Sequence, residues 1–162
     1  MRWRRGVRIP DLARDGLGLR PGERVLAAAQ DAHGQWFAAT EQALVSAGRR
    51  VPWADVSHAQ WLADESVLLV DPVPGTFDRL RVALPEPGRL PEAVHERVMA
   101  SIVVSRRVPV GPGTSVRVVG RDDGSGGMVW QVLPEAGVDP ADPEVRRVTD
   151  AMVTQLRGEI GR

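Results

Sequence analysis

Residues 36–71 carry the clearest strand pattern of this chain, WFAATEQALVSAGRRVPWADVSHAQWLADESVLLVD. Its apolar residues fall in short runs bounded by turn formers, which is typical of β-strands. The runs follow each other too closely to leave room for a helical crossover, so neighbouring strands are expected to be antiparallel. Pro52 lacks a backbone donor, and it therefore confines its strand to an edge or a bend.

The strand pattern continues on both sides of this stretch. Residues 24–30 form a small apolar run that ends at Asp31–Gly34, where the glycine permits the positive φ of a tight hairpin turn. Residues 79–84 alternate between Leu or Val and other side chains, as in a strand with one buried face. The sequence therefore predicts an antiparallel barrel or sandwich from about Arg24 to Leu84.

The apolar period changes after this region. Pro91 suits the first turn of a helix. Apolar residues then recur at every fourth position, at Val94, Val98 and Ile102, which places them on one helical face. We therefore predict a helix from about Pro91 to Arg106 whose apolar stripe packs on the sheet.

Two further elements are predicted beyond the break at Pro109–Gly113. Residues 114–120 and 128–133 are expected to pair as a hairpin around a glycine-rich tip. Asp142 is followed by a proline and a glutamate, which together form a strong signal for the start of a helix. The expected parts of the chain are an Arg-rich N-terminal arm at 1–19, a barrel with its capping helix at 20–107, and the hairpin with the C-terminal helix at 108–162.

This order of elements resembles bacterial members of the pleckstrin-homology-like (PH-like) domain superfamily. WFAATEQALV resembles their paired strands joined by a short turn, RRVPWADVSHAQW the strand pair that follows, and SVLLVD the next strand. The resemblance covers about residues 20–107. It implies an antiparallel PH-like barrel or sandwich capped by a helix. Together with the β-hairpin and C-terminal helix predicted from the residues that follow, the expected fold class is α+β. The resemblance implies a binding scaffold and does not name a ligand.

Two departures limit what the resemblance implies. Lipid-binding members hold inositol phosphates with lysines and arginines of the first hairpin loop, but here that loop, Asp31–Gly34, has neither residue type and carries a carboxylate. Phosphoinositide binding is therefore not carried over to this chain. The predicted helix also lacks the tryptophan that eukaryotic members have in their final helix.

Composition excludes several classes of protein. The chain has 162 residues and no cysteine, which rules out disulfides, thiolate zinc sites and cysteine nucleophiles. Its 21 arginines balance 21 acidic residues, so the molecule as a whole is not an electrostatic surface for nucleic acid. The N-terminal MRWRRGVRIP has the charge of a signal peptide without an apolar stretch behind it. We expect a cytoplasmic protein without a transmembrane segment.

No motif predicts a cofactor, a metal site or catalytic residues. Glu92 and His95 share one helical face, but a di-iron bundle needs a second such pair and further glutamates. An exposed helix face is therefore favoured over a metal site at this pair. None of His33, His58 and His95 has a second histidine at ligand spacing, and a zinc site needs three or four convergent ligands. The glycine-rich tip at 120–127 lies between strands and has no lysine, so it fails as a phosphate loop. An enzyme that uses scattered carboxylates and His58 stays open as a class, without a supporting motif.

The leading hypothesis is a non-catalytic interaction module that binds a protein partner, at an apolar patch or an exposed sheet edge. The alternative is a binder of an anionic surface, nucleic acid or a membrane, that acts through the arginine-rich N-terminus. We expect weak or no nucleic-acid binding, because few phosphates would be neutralised. The candidate contact residues are Arg2, Trp3, Arg4, Arg5 and Arg8 for the anion, and Trp53 beside the strand edge at Pro52.

Overall fold

The computed structural model describes residues 9–161. Within these residues the fold is α+β, with three antiparallel sheets and three α-helices. The chain divides into two compact units, Met1–Ala100 and Ser101–Arg162, and each has its own hydrophobic core. No helix in the described part of the chain is both long enough and apolar enough to cross a bilayer.

The first unit begins its β-structure with a meander of four strands. The connection between the first two strands is the predicted tight turn, in which Gly34 has a φ of +84° and the Asp31 carboxylate accepts hydrogen bonds from the backbone N–H groups of His33 and Gln35. Alternation in the second strand places Trp36 and Ala38 on one face of the sheet and Phe37 on the other. The strands lie in the order β1 (Val25–Gln30), β2 (Trp36–Thr40), β3 (Ala43–Ser46) and β4 (Arg49–Pro52).

The second sheet of this unit has three strands. Pro52 ends β4, and a single 3₁₀ turn, Trp53–Asp55, redirects the chain into the second sheet. The predicted bend is therefore confirmed, and it is where the chain leaves one sheet for the other. The strands lie in the order β5 (Val56–Leu62), β6 (Val67–Pro72) and β7 (Leu80–Ala83).

The main core contains side chains from both sheets and from α2 (Leu90–Ala100). Leu44, Trp53 and Val70 lie in it, and the helix adds Leu90, Val94 and Val98. The predicted apolar stripe at Val94 and Val98 is thus confirmed. The two sheets remain separate and do not close into a barrel.

The predicted end of the helix is wrong. α2 stops at Ala100, and the residues that were expected to form its last turns belong to strand β8 (Ile102–Gly111). Ile102, Val103 and Val104 are consecutive β-branched residues, which lose side-chain freedom in a helix and suit a pleated strand. Ile102 continues the four-residue period by coincidence.

A short helix near the N-terminus was not predicted. α1 (Asp11–Gly16) follows Pro10, and the residues that flank it, Ile9 and Leu17, are buried against the outer face of the first sheet, beside Ala38 and Val45. A six-residue helix shows too little apolar period to be recognised from the sequence. From Ile9 onward, the segment predicted as an N-terminal arm therefore packs on the outer face of this sheet.

The second unit is a three-stranded sheet with a helix on one face. The predicted hairpin and the predicted helix start are confirmed, since the Asp142 carboxylate accepts from the backbone N–H of Glu144 at 2.9 Å. Gly161 ends that helix with a φ of +77°. The sheet order is β10 (Met128–Pro134), β9 (Thr114–Asp122) and β8, and Val145 and Leu156 of α3 (Pro143–Ile160) pack on it.

Candidate functional site

A groove runs between strand β5 and helix α2 within the first unit. It encloses about 410 Å³, and ligand clefts span roughly 300–1,000 Å³. Its floor is apolar, because Ala59 and Leu68 are core residues and Trp61 packs against the core. The lining residues are Ala59, Gln60, Trp61 and Leu68 from the second sheet, and Pro87, Gly88, Pro91, Glu92 and His95 from α2 and the loop before it.

The β5 wall of this groove is an open strand edge. Side chains alternate between the faces of a sheet, so the three consecutive residues Ala59–Trp61 can line one groove only along the edge of their strand. Within residues 9–161, β5 pairs with β6 alone. At a free edge, every second residue directs its backbone N–H and C=O away from the sheet. These groups are available to an added strand.

The opposite wall is held in place by the core. Leu90 and Val94 of α2 are fully buried, so the helix cannot shift without breaking the packing of both sheets. Pro91 and His95, each one position further along the helix, face the groove one turn apart. Glu92 lies at the rim, where its carboxylate pairs with the exposed Arg89 guanidinium at 3.3 Å.

A second cavity lies along the edge of β1 and encloses about 520 Å³. It is less suited to strand addition, because its far wall is the loop Pro85–Gly88 instead of a helix anchored in the core. The pairing of β5 with β6 is regular from His58 to Leu62 and includes the groove segment.

The groove brings together the Glu92–His95 pair that the sequence analysis considered. Within the described residues, no group of three or more His, Cys, Asp or Glu side chains could hold a metal ion. Arg107 lowers the pKa of the Glu135 carboxyl and Arg147 lowers that of Glu144 by hydrogen bonding. At Asp55, burial raises the carboxyl pKa. None of these three carboxyls lines the groove.

The structure places Trp53 in the core instead of at a surface. Its side chain is packed among core residues, the residue is 5% exposed, and its indole Nε1 donates a hydrogen bond to the Thr40 carbonyl at 2.9 Å. Core packing and this hydrogen bond account for the position of Trp53. The other candidate contact residues lie outside the described part of the chain, namely Arg2, Trp3, Arg4, Arg5 and Arg8.

A buried ion pair that the sequence analysis missed joins the segment before β1 to the first sheet. The fully buried Glu23 carboxylate accepts hydrogen bonds from both terminal nitrogens of Arg50 and, at 2.5 Å, from the Thr40 hydroxyl. It also accepts from the Arg20 backbone N–H at 2.9 Å. The hydrogen bond with Arg50 is the main reason why the pKa of Glu23 falls to about 2.

The groove residues carried no motif in the sequence. Gln60 and Trp61 are ordinary strand residues, and only the arrangement of β5 beside α2 gives them a shared surface. Pro52 marks only the point where the chain leaves the first sheet, and no residue type in β5 signals the free edge of that strand. Compared with protein-family models, with curated proteins and with solved structures, the chain shows no significant match.

Proposed function

We propose that this chain is a non-catalytic PH-like interaction module that binds an extended segment of a protein partner in the groove between β5 and α2. The observation that carries the proposal is the free edge at Ala59–Trp61, which lines an apolar groove with a fixed opposite wall. Strand addition to an exposed edge is an established mode of peptide recognition, in which main-chain hydrogen bonds supply affinity and pockets select alternate side chains.

The order of elements supports the PH-like assignment. Four antiparallel strands are followed by three more, and then by a helix that buries its apolar stripe in the core between the sheets. The resemblance stated for residues 20–107 implies this order. In the described residues the sheets stay separate, so the sandwich form of the fold is the better description.

The groove also predicts the chemistry of the bound segment. A strand added to β5 directs alternate side chains toward the floor at Leu68 and Trp61, so we expect apolar residues at every second position. Between them, side chains reach the rim at Gln60, Glu92 and His95. The mixed rim favours polar or basic residues there and disfavours a run of acids.

Selection from a randomised library of short peptides, followed by substitution at the rim, tests the proposal. Glu92→Trp places an indole in the groove and should weaken the selected peptide about tenfold or more. Glu96→Trp is the matched control, because Glu96 is exposed on the same helix and does not line the groove. It should change the dissociation constant by less than about twofold.

Binding is measured by fluorescence anisotropy of the labelled peptide on the full chain. An equal loss of peptide affinity in the two variants would contradict binding in the groove. So would a failure to select any peptide with alternating apolar residues. The dissociation constant should also change little with ionic strength, since the contacts are main-chain hydrogen bonds and apolar surface.

The alternative function rests on a different feature, the four arginines and one tryptophan within residues 2–8. A site that neutralises about four phosphates gives a log–log salt slope near −3.6 for duplex DNA. We expect only feeble binding to duplex DNA or to anionic vesicles at physiological salt. A titration at several salt concentrations measures the slope.

Deletion of residues 1–8 is the matching variant for this alternative. The deletion ends at Arg8 because Ile9 is buried against the first sheet, and the fold should therefore be kept. Peptide binding in the groove should be unchanged by the deletion. Tight, salt-sensitive binding that disappears with these residues would establish the anionic-surface function instead.

A further inference from the structure

A third cavity opens between the two sheets of the first unit, away from the peptide groove. It encloses about 280 Å³ where strands β2, β3 and β4 face Leu80 of β7. Phe37, Leu44 and Val51 supply its apolar wall, and each of them belongs to the core or packs against it. The cavity is thus an accessible extension of the hydrophobic core and shares no lining residue with the groove.

A cation lies at the polar end of this cavity. Arg49 is paired across the sheet with Ser46, and Val51 with Leu44. Because side chains alternate along a strand, Arg49 projects from the same face of β4 as the core residue Val51. Arg49 therefore lines the cavity at its solvent-exposed end.

Arg49 is not neutralised by the protein. Within residues 9–161, its side chain makes no ion pair and no hydrogen bond, and no carboxylate lines the cavity. The other polar groups there are already used, since the Gln35 amide donates to the Ser46 hydroxyl at 2.8 Å and that hydroxyl donates to the Trp36 carbonyl at 2.7 Å. The cavity thus combines apolar walls with one solvent-exposed guanidinium that pairs with no side chain of residues 9–161.

We propose that this cavity binds a small, monomeric amphiphile with an anionic head, such as a short-chain carboxylate. The apolar chain lies against Phe37, Leu44 and Leu80, and the carboxylate pairs with Arg49. Arginine suits this role because its planar guanidinium matches a carboxylate with two parallel hydrogen bonds.

Size selects a free amphiphile over a membrane lipid. At about 280 Å³ the cavity is near the lower limit of ligand pockets, roughly 300 Å³, and it suits a single short chain or one ring. Charge favours an anionic head group, because a cationic amphiphile would be repelled by Arg49 and a neutral one would gain no ion pair with it.

Calorimetric titration of the full chain with octanoate, octan-1-ol and octylammonium tests the proposal. Octanoate should bind about tenfold more tightly than octan-1-ol, and octylammonium should not bind. From butanoate to octanoate, each methylene should tighten the dissociation constant about fourfold. Octanoate should shift the amide resonances of Leu44 and Val51 and leave Ala59–Trp61 unmoved, so the result is independent of the peptide groove.

Two variants assign the contacts. Arg49→Gln should remove the preference for octanoate over octan-1-ol, whereas Arg24→Gln, at an exposed arginine outside the cavity, should keep it. Leu80→Trp should fill part of the cavity and abolish the binding of both octanoate and octan-1-ol. Equal affinity for the acid and the alcohol, no dependence on chain length, unchanged binding to Arg49→Gln, or displacement of octanoate by anionic vesicles would each overturn the proposal.

Discussion

The Val98→Asp variant should fail to fold in the unit Met1–Ala100. Val98 is 4% exposed and lies in the hydrophobic core with Val94 and Leu90. Burial of an unpaired carboxylate costs several kcal/mol, which is comparable to the 5–15 kcal/mol of total stability of a typical domain. Loss of the cooperative unfolding transition of this unit, followed by circular dichroism and tryptophan emission, is the expected result.

The neighbouring position provides the control. Met99 follows Val98 on the same helix but is 54% exposed, so Met99→Asp places the same carboxylate in solvent. It should shift the free energy of unfolding by less than about 0.5 kcal/mol. A Val98→Asp protein with an unchanged melting temperature would show that α2 does not seal the core.

The Arg50→Met variant should lose about 3 kcal/mol of stability, because it leaves the buried Glu23 carboxylate without its main partner. Arg81→Met is the control. Arg81 forms a similar pair with Glu65, but both side chains are more than half exposed, and such pairs contribute about 0–1 kcal/mol. Urea unfolding of the two variants measures the difference, and equal losses would contradict the assigned role of the buried pair.

The same pair predicts a pH dependence. The pKa of Glu23 is about 2 in the folded protein, against an ordinary value of 4.5, so the unfolded chain takes up the proton at the higher pH. The contribution of the pair is therefore complete above pH 4.5 and is lost as the pH falls toward 2. Glu23→Gln should flatten the stability profile between these values. A profile unchanged by that substitution would contradict the prediction.

Local patterns were sufficient for most of the strands. Alternation at residues 36–40 and 79–84, together with turn residues such as Gly34, depends on contacts between near neighbours in the chain. The end of α2 was mispredicted because Ile102 satisfies the helical period and the strand propensity equally. Pairing with β9 decides between them, and that interaction is distant in sequence.

The candidate site could not be predicted in the same way. The edge at Ala59–Trp61 is open because, in the described chain, no strand other than β6 pairs with β5. No residue type in the sequence signals this. The Glu23–Arg50 pair joins positions 27 residues apart, so its charges read as ordinary surface charges in the sequence. Trp53 illustrates the converse, since its place beside the strand edge at Pro52 suggested a contact surface, whereas the structure buries it in the core.

Amide hydrogen exchange along β5, with and without a selected peptide, tests the proposed strand addition most directly. We expect alternate amides of residues 58–62 to gain protection from exchange on binding, and the amides of β1 to remain unchanged. Peptide analogues that each carry one methylated backbone nitrogen should lose affinity when the methyl group is at every second position, and should keep it at the positions between. Protection confined to β1 or absent from β5 would contradict the proposal that this edge receives the partner.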